Sequence, residues 1–507
     1  MDIKCHHSKI VVPGDLFYAD IAAGYAGSIA EKLGIADRDV DDIRLCTRQV
    51  VAWAIEYSLS EKEEIFLEVA CGVTADGFKV SVKDRGLPFE PTMMRGAESK
   101  DLAGIFRLKG GMDEIRFNNL GHEGKEIVLI KYSRQGRITD LYNSCELEYY
   151  EKGTPAEPDR SQGMDYIVRP MAPDEALEVS KCVYKGYGYT YPHEQIYYPA
   201  KLAELNRTHS MFSAVAASVR GDILGHCALM YDNPDAPIAE MGLGVVKPEY
   251  RAMGCFNRLT AFLIDKSRAD RLKGVYVRAV ALHPYSQKSA ARFDLKECAL
   301  LLGYIPATVD FRRVDKGLSQ RVAVFLCFRR LDPTWQPKIC PPARHRNMIL
   351  DLYDHMQVEP IVKRPAAPKK PVFGTESRIH VDVLNSMSYV RIVIESCGPD
   401  ILREISQIVN ELCLKKIEVL NLYMDLSNPR TGPASEQIEK IGFFFAGVLP
   451  GGMPDGSDAI IFQYLNQVPI ELEAVQAYSD MAKKLLAYVS GGESEAKSAR
   501  LPGKRAL

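Results

Sequence analysis

Apolar residues recur along this chain in two rhythms, and the switches between them mark out three folded segments. In residues 15–33 and 38–58 they return every three or four positions, the spacing of an amphipathic helix. KIVVPGD before them, and EEIFLEVACGV, GFKVSVKDRG and EIVLIKY after them, read as short strands, the middle two alternating like a hairpin. Residues 1–133 thus predict strand, helix, helix, strand, strand, loop, strand.

From 164 to 332 the order is longer. DYIVRPM predicts a strand, PDEALEVSKCVYKGYG and EQIYYPAKLAELN two helices, and MFSAVAASV and ILGHCALMYD two strands about a Gly-Asp turn. The strand IAEMGLGVVKPEYR leads into the turn RAMGCF and the helix FNRLTAFLIDKSRADRL. The strand GVYVRAVAL, the short helix SQKSAARF and the strands ECALLLGYIP and RVAVFLCFRRL follow. Residues 377–490 repeat the second half of that order. LKKIEVLNLYMDLSNP parallels RLKGVYVRAVALHPYS, EQIEKIGFFFAGVLPG parallels KSAARFDLKECALLLGYIP, and DAIIFQYLN parallels RVAVFLCFRRL. Before them stand a hairpin, SRIHVDVLNSMSYVRIVIES, and a helix, PDILREISQIVNELCL.

Between these segments periodicity fades. Residues 134–163 read as a linker, and 333–376 as one helix, HRNMILDLYDHM, followed by the stiff spacer VKRPAAPKKPVFGTES. The tail 491–507 reads as disordered. The fold class is α/β with some α+β character, in several domains.

Composition narrows the function. Lys plus Arg is 64 and Asp plus Glu is 66, a net charge of -2, so no nucleic-acid partner is expected. No apolar run reaches the roughly 18 residues of a membrane span, and no membrane association is expected. The opening MDIKCHHSKIVVPGD lacks the apolar run of a secretory signal. Twelve scattered cysteines without a CxxC pair suggest reduced thiols and a cytoplasmic protein. Cys5, His6 and His7 read as incidental, and no metal is expected.

The motif VSVKDRGLPFEP carries the first resemblance. Residues 1–133 resemble the anti-sigma-factor serine kinases among the histidine-kinase-like (GHKL) ATPases, an α/β sandwich. The resemblance implies that Asp84 accepts from the adenine amino group and that Gly86 lets backbone pass close to the base. DLAGIFRLKGGMDEIRFN resembles that family's lid, with Gly104 and Met112-Asp113-Glu114 in family-like places and a helix start offering amides to phosphate. The family's glutamate base and asparagine metal ligand are replaced by Gln49 and Trp53. An amide is no general base and an indole offers no acceptor to magnesium. Adenine nucleotide without magnesium, an anti-anti-sigma-like protein partner, or neither remain open.

VVKPEYRAMGCFNRL carries the second. Residues 164–332 resemble the Gcn5-related N-acetyltransferases (GNAT), a mixed-sheet fold using acetyl-CoA or another acyl-CoA. The family's Arg/Gln-x-x-Gly-x-Gly/Ala turn stands as Arg251-Ala252-Met253-Gly254-Cys255-Phe256, with Phe256 departing from Gly or Ala. The turn would hold pyrophosphate on backbone amides at a helix start. Val245 and Val246 would align the thioester, and Glu240 would relay the amine's proton. Ala290 stands where the family has its tyrosine acid, so Tyr285 is the substitute, and His283 falls where an asparagine is usual. His226 is an alternative proton carrier. Residues 377–490 resemble half of the same fold without its turn, Ser396-Cys397-Gly398-Pro399-Asp400 standing there instead. The leading expectation is an N-acyltransferase with a small-molecule or protein amine as acceptor, behind a regulatory ATPase-like domain. A non-catalytic signalling scaffold and an anti-sigma-type serine/threonine kinase are the rivals.

Overall fold

The computed structural model describes residues 7–33, 35–58, 65–74, 77–90, 111–132, 165–250, 253–309, 320–363 and 376–500. It is a mixed α/β structure in two compact units. The first holds described residues up to Ile167 together with Met171–Glu204 and Ala217–Ile223; the second holds the rest.

In the first unit, strands β1 (His7–Pro13), β2 (Phe66–Thr74), β3 (Gly77–Asp84), β4 (Glu114–Asn119) and β5 (Lys125–Tyr132) form an antiparallel sheet in the order β1-β2-β3-β5-β4. Helices α1 (Phe17–Lys32) and α2 (Asp37–Ser58) cover one face. Asp15 starts α1 by accepting the Phe17 amide at 2.8 Å. The stripe Ala19, Ala22, Ala26 and Ala30 keeps that face of α1 thin, so Val50, Val51 and Ala54 of α2 reach the same core as Leu67, Val69, Val80, Val82 and Leu129. Met112-Asp113-Glu114 does not open a helix. Glu114 begins β4, because EIRFNN alternates and pairs antiparallel with β5 from Glu114↔Ile130 to Asn119↔Lys125. Gly104 lies outside the described residues. Helices α3 (Ala176–Tyr187) and α4 (Pro199–Arg207) follow β6 (Tyr166–Pro170) in the chain, and α3 adds Leu177 to the first unit's core.

The second unit is built on a twelve-stranded sheet. Its strands are β6, β7 (Met211–Ser218), β8 (Ile223–Met230), β9 (Ile238–Val246), β10 (Gly274–Val280), β11 (Lys296–Ile305) and β12 (Val322–Arg330), then β15 (Arg378–Leu384), β16 (Tyr389–Ser396), β17 (Val419–Asp425), β18 (Phe444–Leu449) and β19 (Ala459–Leu465). The order is β15-β16-β17-β19-β18-β11-β12-β10-β9-β8-β7-β6. Between the halves lie helix α7 (Arg346–His355) and the two-residue strands β13 (Lys338–Ile339) and β14 (Ile361–Val362).

The two halves share an internal order. β9 and β10 are parallel, with α5 (Cys255–Ala269) between them in the chain; β10 pairs antiparallel with β12, and β12 with β11 after α6 (Tyr285–Arg292). β16 and β17 are parallel about α8 (Ile401–Leu414); β17 pairs antiparallel with β19, and β19 with β18 after α9 (Thr431–Lys440). The halves join edge to edge at Ala299↔Gly447. Gly447 has φ 143°, and a Cβ there would stand 2.3 Å from the Ala299 Cα. The buried Gln463 amide closes the seam, accepting from Leu302 N–H at 2.8 Å and donating to Leu302 C=O at 3.1 Å.

The tail expectation needs revision. Helix α10 runs Asp480–Arg500, so helix replaces disorder as far as Arg500. Ala482, Leu485, Val489 and Ala496 recur at helical spacing and are buried, a stripe that the Gly491-Gly492 pair and the surrounding charges obscure in the sequence.

Candidate functional site

Strand β9 is the centre of the site. β10 pairs with it over only three positions, Gly274↔Ile238, Val275↔Ala239 and Tyr276↔Glu240. Beyond Glu240 the two strands lose their register, although β9 continues to Val246 and β10 to Val280. On the other side, β8 pairs His226↔Val245 and Ala228↔Gly242, so Leu243 and Gly244 form a bulge opposite Cys227. Leu243 carries φ 54°, costly for a branched side chain. His226 holds it there, donating from Nδ1 to the Leu243 carbonyl at 2.9 Å. That bond fixes the tautomer. Burial drives the His226 pKa down to about 4, so its Nε2 carries no proton at neutral pH and is buried without a partner.

The turn after β9 ends at Gly254, whose φ 77° and ψ 5° are left-handed and suit glycine. It is the N-cap of α5, and no side-chain cap bond closes that helix start. Cys255, Leu259, Leu263 and Ile264 seat the helix on the sheet. Arg251 and Ala252 lie outside the described residues; Met253 N–H donates to Tyr250 C=O at 3.4 Å. Phe256 is 40% exposed, and its ring lies against Gly244 so closely that a Cβ on Gly244 would stand 2.6 Å from Cε2. Val245 is buried and Val246 half-buried on the same strand. Phe256 thus lies against the bulge on the strand that carries Val245 and Val246, and Gly254 and Cys255 immediately precede it in the chain.

Glu240 points into a polar cluster. It is ion-paired with Arg278 of β10 and accepts the Tyr276 hydroxyl at 3.3 Å. The sequence reading missed Arg278. Its signal was a lone charge inside the apolar strand GVYVRAV. Tyr285 opens α6 and is 70% exposed, its ring 5.0 Å from that of His283, while Ala290 is buried. No hydrogen bond ties Tyr285 to Glu240 among the described residues.

The other predicted site, in the first unit, is closed. Asp84 and Lys125 are ion-paired at 2.5 Å with side chains 1% exposed, and Asp84 also accepts the Gly86 amide at 2.8 Å. Tyr189 donates to the Gly86 carbonyl at 2.7 Å and Tyr184 to the Arg85 carbonyl at 3.0 Å. Trp53 stacks on Tyr57 at 4.9 Å and tilts against Phe89 at 4.9 Å. The carboxylate assigned to an adenine amino group is thus engaged by the chain's own ammonium. Lys125 was not legible as that partner, because the pairing needs the β3–β5 register Asp84↔Lys125. Among the described residues no cluster of His, Cys, Asp and Glu could hold a metal ion, and no helix is long and apolar enough to cross a membrane.

No family model matches this sequence, and no curated protein matches it. Solved structures do. An N-acetyltransferase from Staphylococcus aureus Mu50 is 14% identical and covers 33% of this chain and 99% of its own, with a TM-score of 0.27. The ribosomal-protein-S5-alanine acetyltransferase from Vibrio fischeri is 16% identical, covering 34% and 96% with a TM-score of 0.28. A putative acetyltransferase from Salmonella typhimurium, solved with its cofactor acetyl-CoA, is 12% identical, covering 35% and 99% with a TM-score of 0.28.

Proposed function

We propose that residues 164–332 form a GNAT-type acyltransferase domain that moves an acyl group from acyl-CoA to an amine. The observation that carries this reading is the splay of β10 from β9 beyond Glu240, next to the left-handed Gly254 turn. Backbone groups of β9 that leave a sheet ladder need other partners, and an extended amide-bearing arm supplies them. A helix start without a side-chain cap suits a pyrophosphate. The His226-held bulge keeps the splay open. In the reaction the amine nitrogen attacks the thioester carbonyl, the carbon–sulfur bond breaks, and the amine's proton leaves by way of Glu240. A thiol is a competent leaving group near its ordinary pKa of about 8.5, so the loss of a tyrosine at Ala290 is tolerable. Phe256 must swing off Gly244 for the arm to lie along β9 there.

The other modules read as supports. The first unit is a GHKL-like domain that has exchanged nucleotide for internal contacts, since Lys125 and Tyr189 occupy Asp84 and Gly86. It acts as a docking module. Residues 377–490 are a degenerate GNAT-like half. Their parallel pair β16–β17 stays in register over six positions, with no splay, and Asp400 at the α8 start accepts the Ser377 amide and hydroxyl at 3.0 Å and 2.8 Å.

Calorimetry with acetyl-CoA tests the reading. Binding is expected in the full chain, stronger in Phe256→Ala and lost in Gly254→Glu. No heat with either the natural chain or Phe256→Ala ends it. ATP with and without magnesium is expected to give no heat.

A further inference from the structure

The twelve-stranded sheet ends on two strands, β6 and β15, and the two edges differ. β6 has five residues and closes on Arg169-Pro170, a charge and a residue without an N–H, both of which discourage further pairing. β15, RIHVDVL, has seven residues and contains neither lysine nor proline. Its bulge lies at the start, between Arg378 and Ile379, and leaves a regular register with β16 from Ile379↔Ile394 to Leu384↔Tyr389. Among the described residues β16 is its only strand partner, so the other side of β15 presents a row of backbone N–H and C=O groups.

The side chains of this edge continue the sheet's interior pattern. Register sets three apolar rows across it: Met424–Ile394–Ile379, Leu422–Ile392–Val381 and Leu420–Val390–Val383. The first two members of each row are at most 2% exposed, whereas Val383 is 44% exposed. The rows thus run out to the edge and stop there without a neighbour. The opposite face of β15 carries His380 and Asp382, both more than half exposed, with the His380 Nε2 2.8 Å from the Asp382 Oδ1.

We propose that β15 pairs antiparallel with β15 of a second copy of this chain, about a two-fold axis through Val381. The strand is self-complementary about that residue. Val381 meets its own counterpart, Ile379 meets Val383, and His380 meets Asp382, the last two contacts occurring twice by symmetry. The apolar rows then continue into the second sheet, and imidazole alternates with carboxylate on the other face. Neighbouring registers fit less well. An axis through His380 sets that histidine against itself, and an axis through Asp382 sets two carboxylates against each other, which is destabilising. A slip of one residue turns the polar face of one strand onto the apolar face of the other. Parallel in-register pairing opposes like residues throughout. The polar pair that blunts this edge against other strands therefore admits its own antiparallel copy. One strand edge is small beside the roughly 1,200 Å² at which stable interfaces begin, so association is expected at micromolar rather than nanomolar concentration. The proposal is independent of the acyltransferase reading.

Sedimentation velocity of the full chain, from about 1 to about 200 µM, tests it. The natural chain is expected to move from the monomer mass toward twice that mass across this range. His380→Asp sets carboxylate against carboxylate at two places across the axis, and Asp382→Lys sets ammonium against imidazole at the same two. Each is expected to weaken association about tenfold or more. Both side chains are exposed, and circular dichroism checks that each variant is folded. Mixing the two variants places the new carboxylate of one against the new ammonium of the other and keeps a natural His380–Asp382 pair at the second place, so heterodimers are expected to recover. A natural chain that stays monomeric throughout overturns the proposal. A natural dimer that both variants form equally well also overturns it, because the interface then lies elsewhere. Monomeric variants whose mixture does not recover overturn it too, because the two side chains then do not meet across the axis.

Discussion

Replacing Lys125 with methionine isolates a fully buried ion pair of the first unit. Both partners are 1% exposed, the Nζ–Oδ1 distance is 2.5 Å, and the remaining contacts of Asp84 include the Gly86 amide. Methionine fills most of the lysine stem's volume, so the change removes mainly the ammonium. What remains is a buried carboxylate that has lost the ammonium at 2.5 Å from its Oδ1. Breaking a pair of this kind by removing one partner costs about 3–5 kcal/mol. Over a unit of this size each kcal/mol lowers the melting midpoint by about 2–4 °C, so a fall of roughly 10 °C is expected. Trp53 lies in the same aromatic cluster, stacked on Tyr57, and its fluorescence reports urea unfolding of this unit. The double variant Asp84→Asn with Lys125→Met, which removes both charges, is expected to recover more than half of the loss. A midpoint unchanged in Lys125→Met, or a double variant no better than the single, refutes the claim that Asp84 depends on Lys125.

Four further outcomes are expected. Gly254→Ala forces an alanine into a left-handed turn, costing about 1–2 kcal/mol in urea unfolding and weakening acetyl-CoA in calorimetry. Gly447→Val drives a side chain into the Ala299 backbone and is expected to lower the melting midpoint of the second unit by several degrees, read from thermal unfolding by circular dichroism. His226 has its pKa depressed to about 4, so between its unfolded value near 6.5 and 4 the unfolded chain takes up a proton and the folded one does not. Stability therefore falls as pH drops through that window, by up to about 3 kcal/mol, and His226→Asn removes the slope. Asp458 is buried, accepts the Tyr353 hydroxyl and the Gly451 amide, and is pushed up to about 6 by burial. Its sign is opposite: between about 4 and 6 the folded state holds the proton, so stability falls as pH rises, by up to about 3 kcal/mol, and Asp458→Asn flattens that part of the urea-midpoint profile.

Strand and helix positions were legible because their periodicity was strong. VSVKD, GVYVRAV and AIIFQYL each announce a strand by side-chain rhythm alone. Besides the two-residue strands β13 and β14, two elements escaped. Glu114–Asn119 carries alternating charges on its outer face, and its position after a glycine-rich stretch favoured a helix start over an edge strand. The last helix hides its Ala482, Leu485, Val489 and Ala496 stripe behind two glycines. At the site, Gly254 was legible as a turn glycine, and its left-handed φ is the backbone reason for it. Partners across strands were not legible. Lys125 meets Asp84 and Arg278 meets Glu240 only through register, and no local pattern specifies register between strands separated by tens of residues. The single sequence signal was a charge amid apolar neighbours, present in both GVYVRAV and SYVRIVI.

That shared signal has a structural counterpart in the doubled half-fold. Glu240 stands third in β9, opposite Tyr276, the third residue of the parallel strand β10. Arg391 stands third in β16, opposite Asn421, the third residue of β17. The same place in the two halves thus carries a carboxylate in one and a guanidinium in the other. The strand with the carboxylate splays and is followed by the left-handed glycine turn. The strand with the guanidinium stays zipped over six pairs and is followed by Pro399-Asp400. Two identical halves facing each other would place like charges together in a buried nest, which is unfavourable at any protein dielectric. Opposite charges at equivalent positions remove that repulsion. Each charge also has its own partner: Arg391 meets Asp232 of the first half at 2.7 Å, and Glu240 meets Arg278.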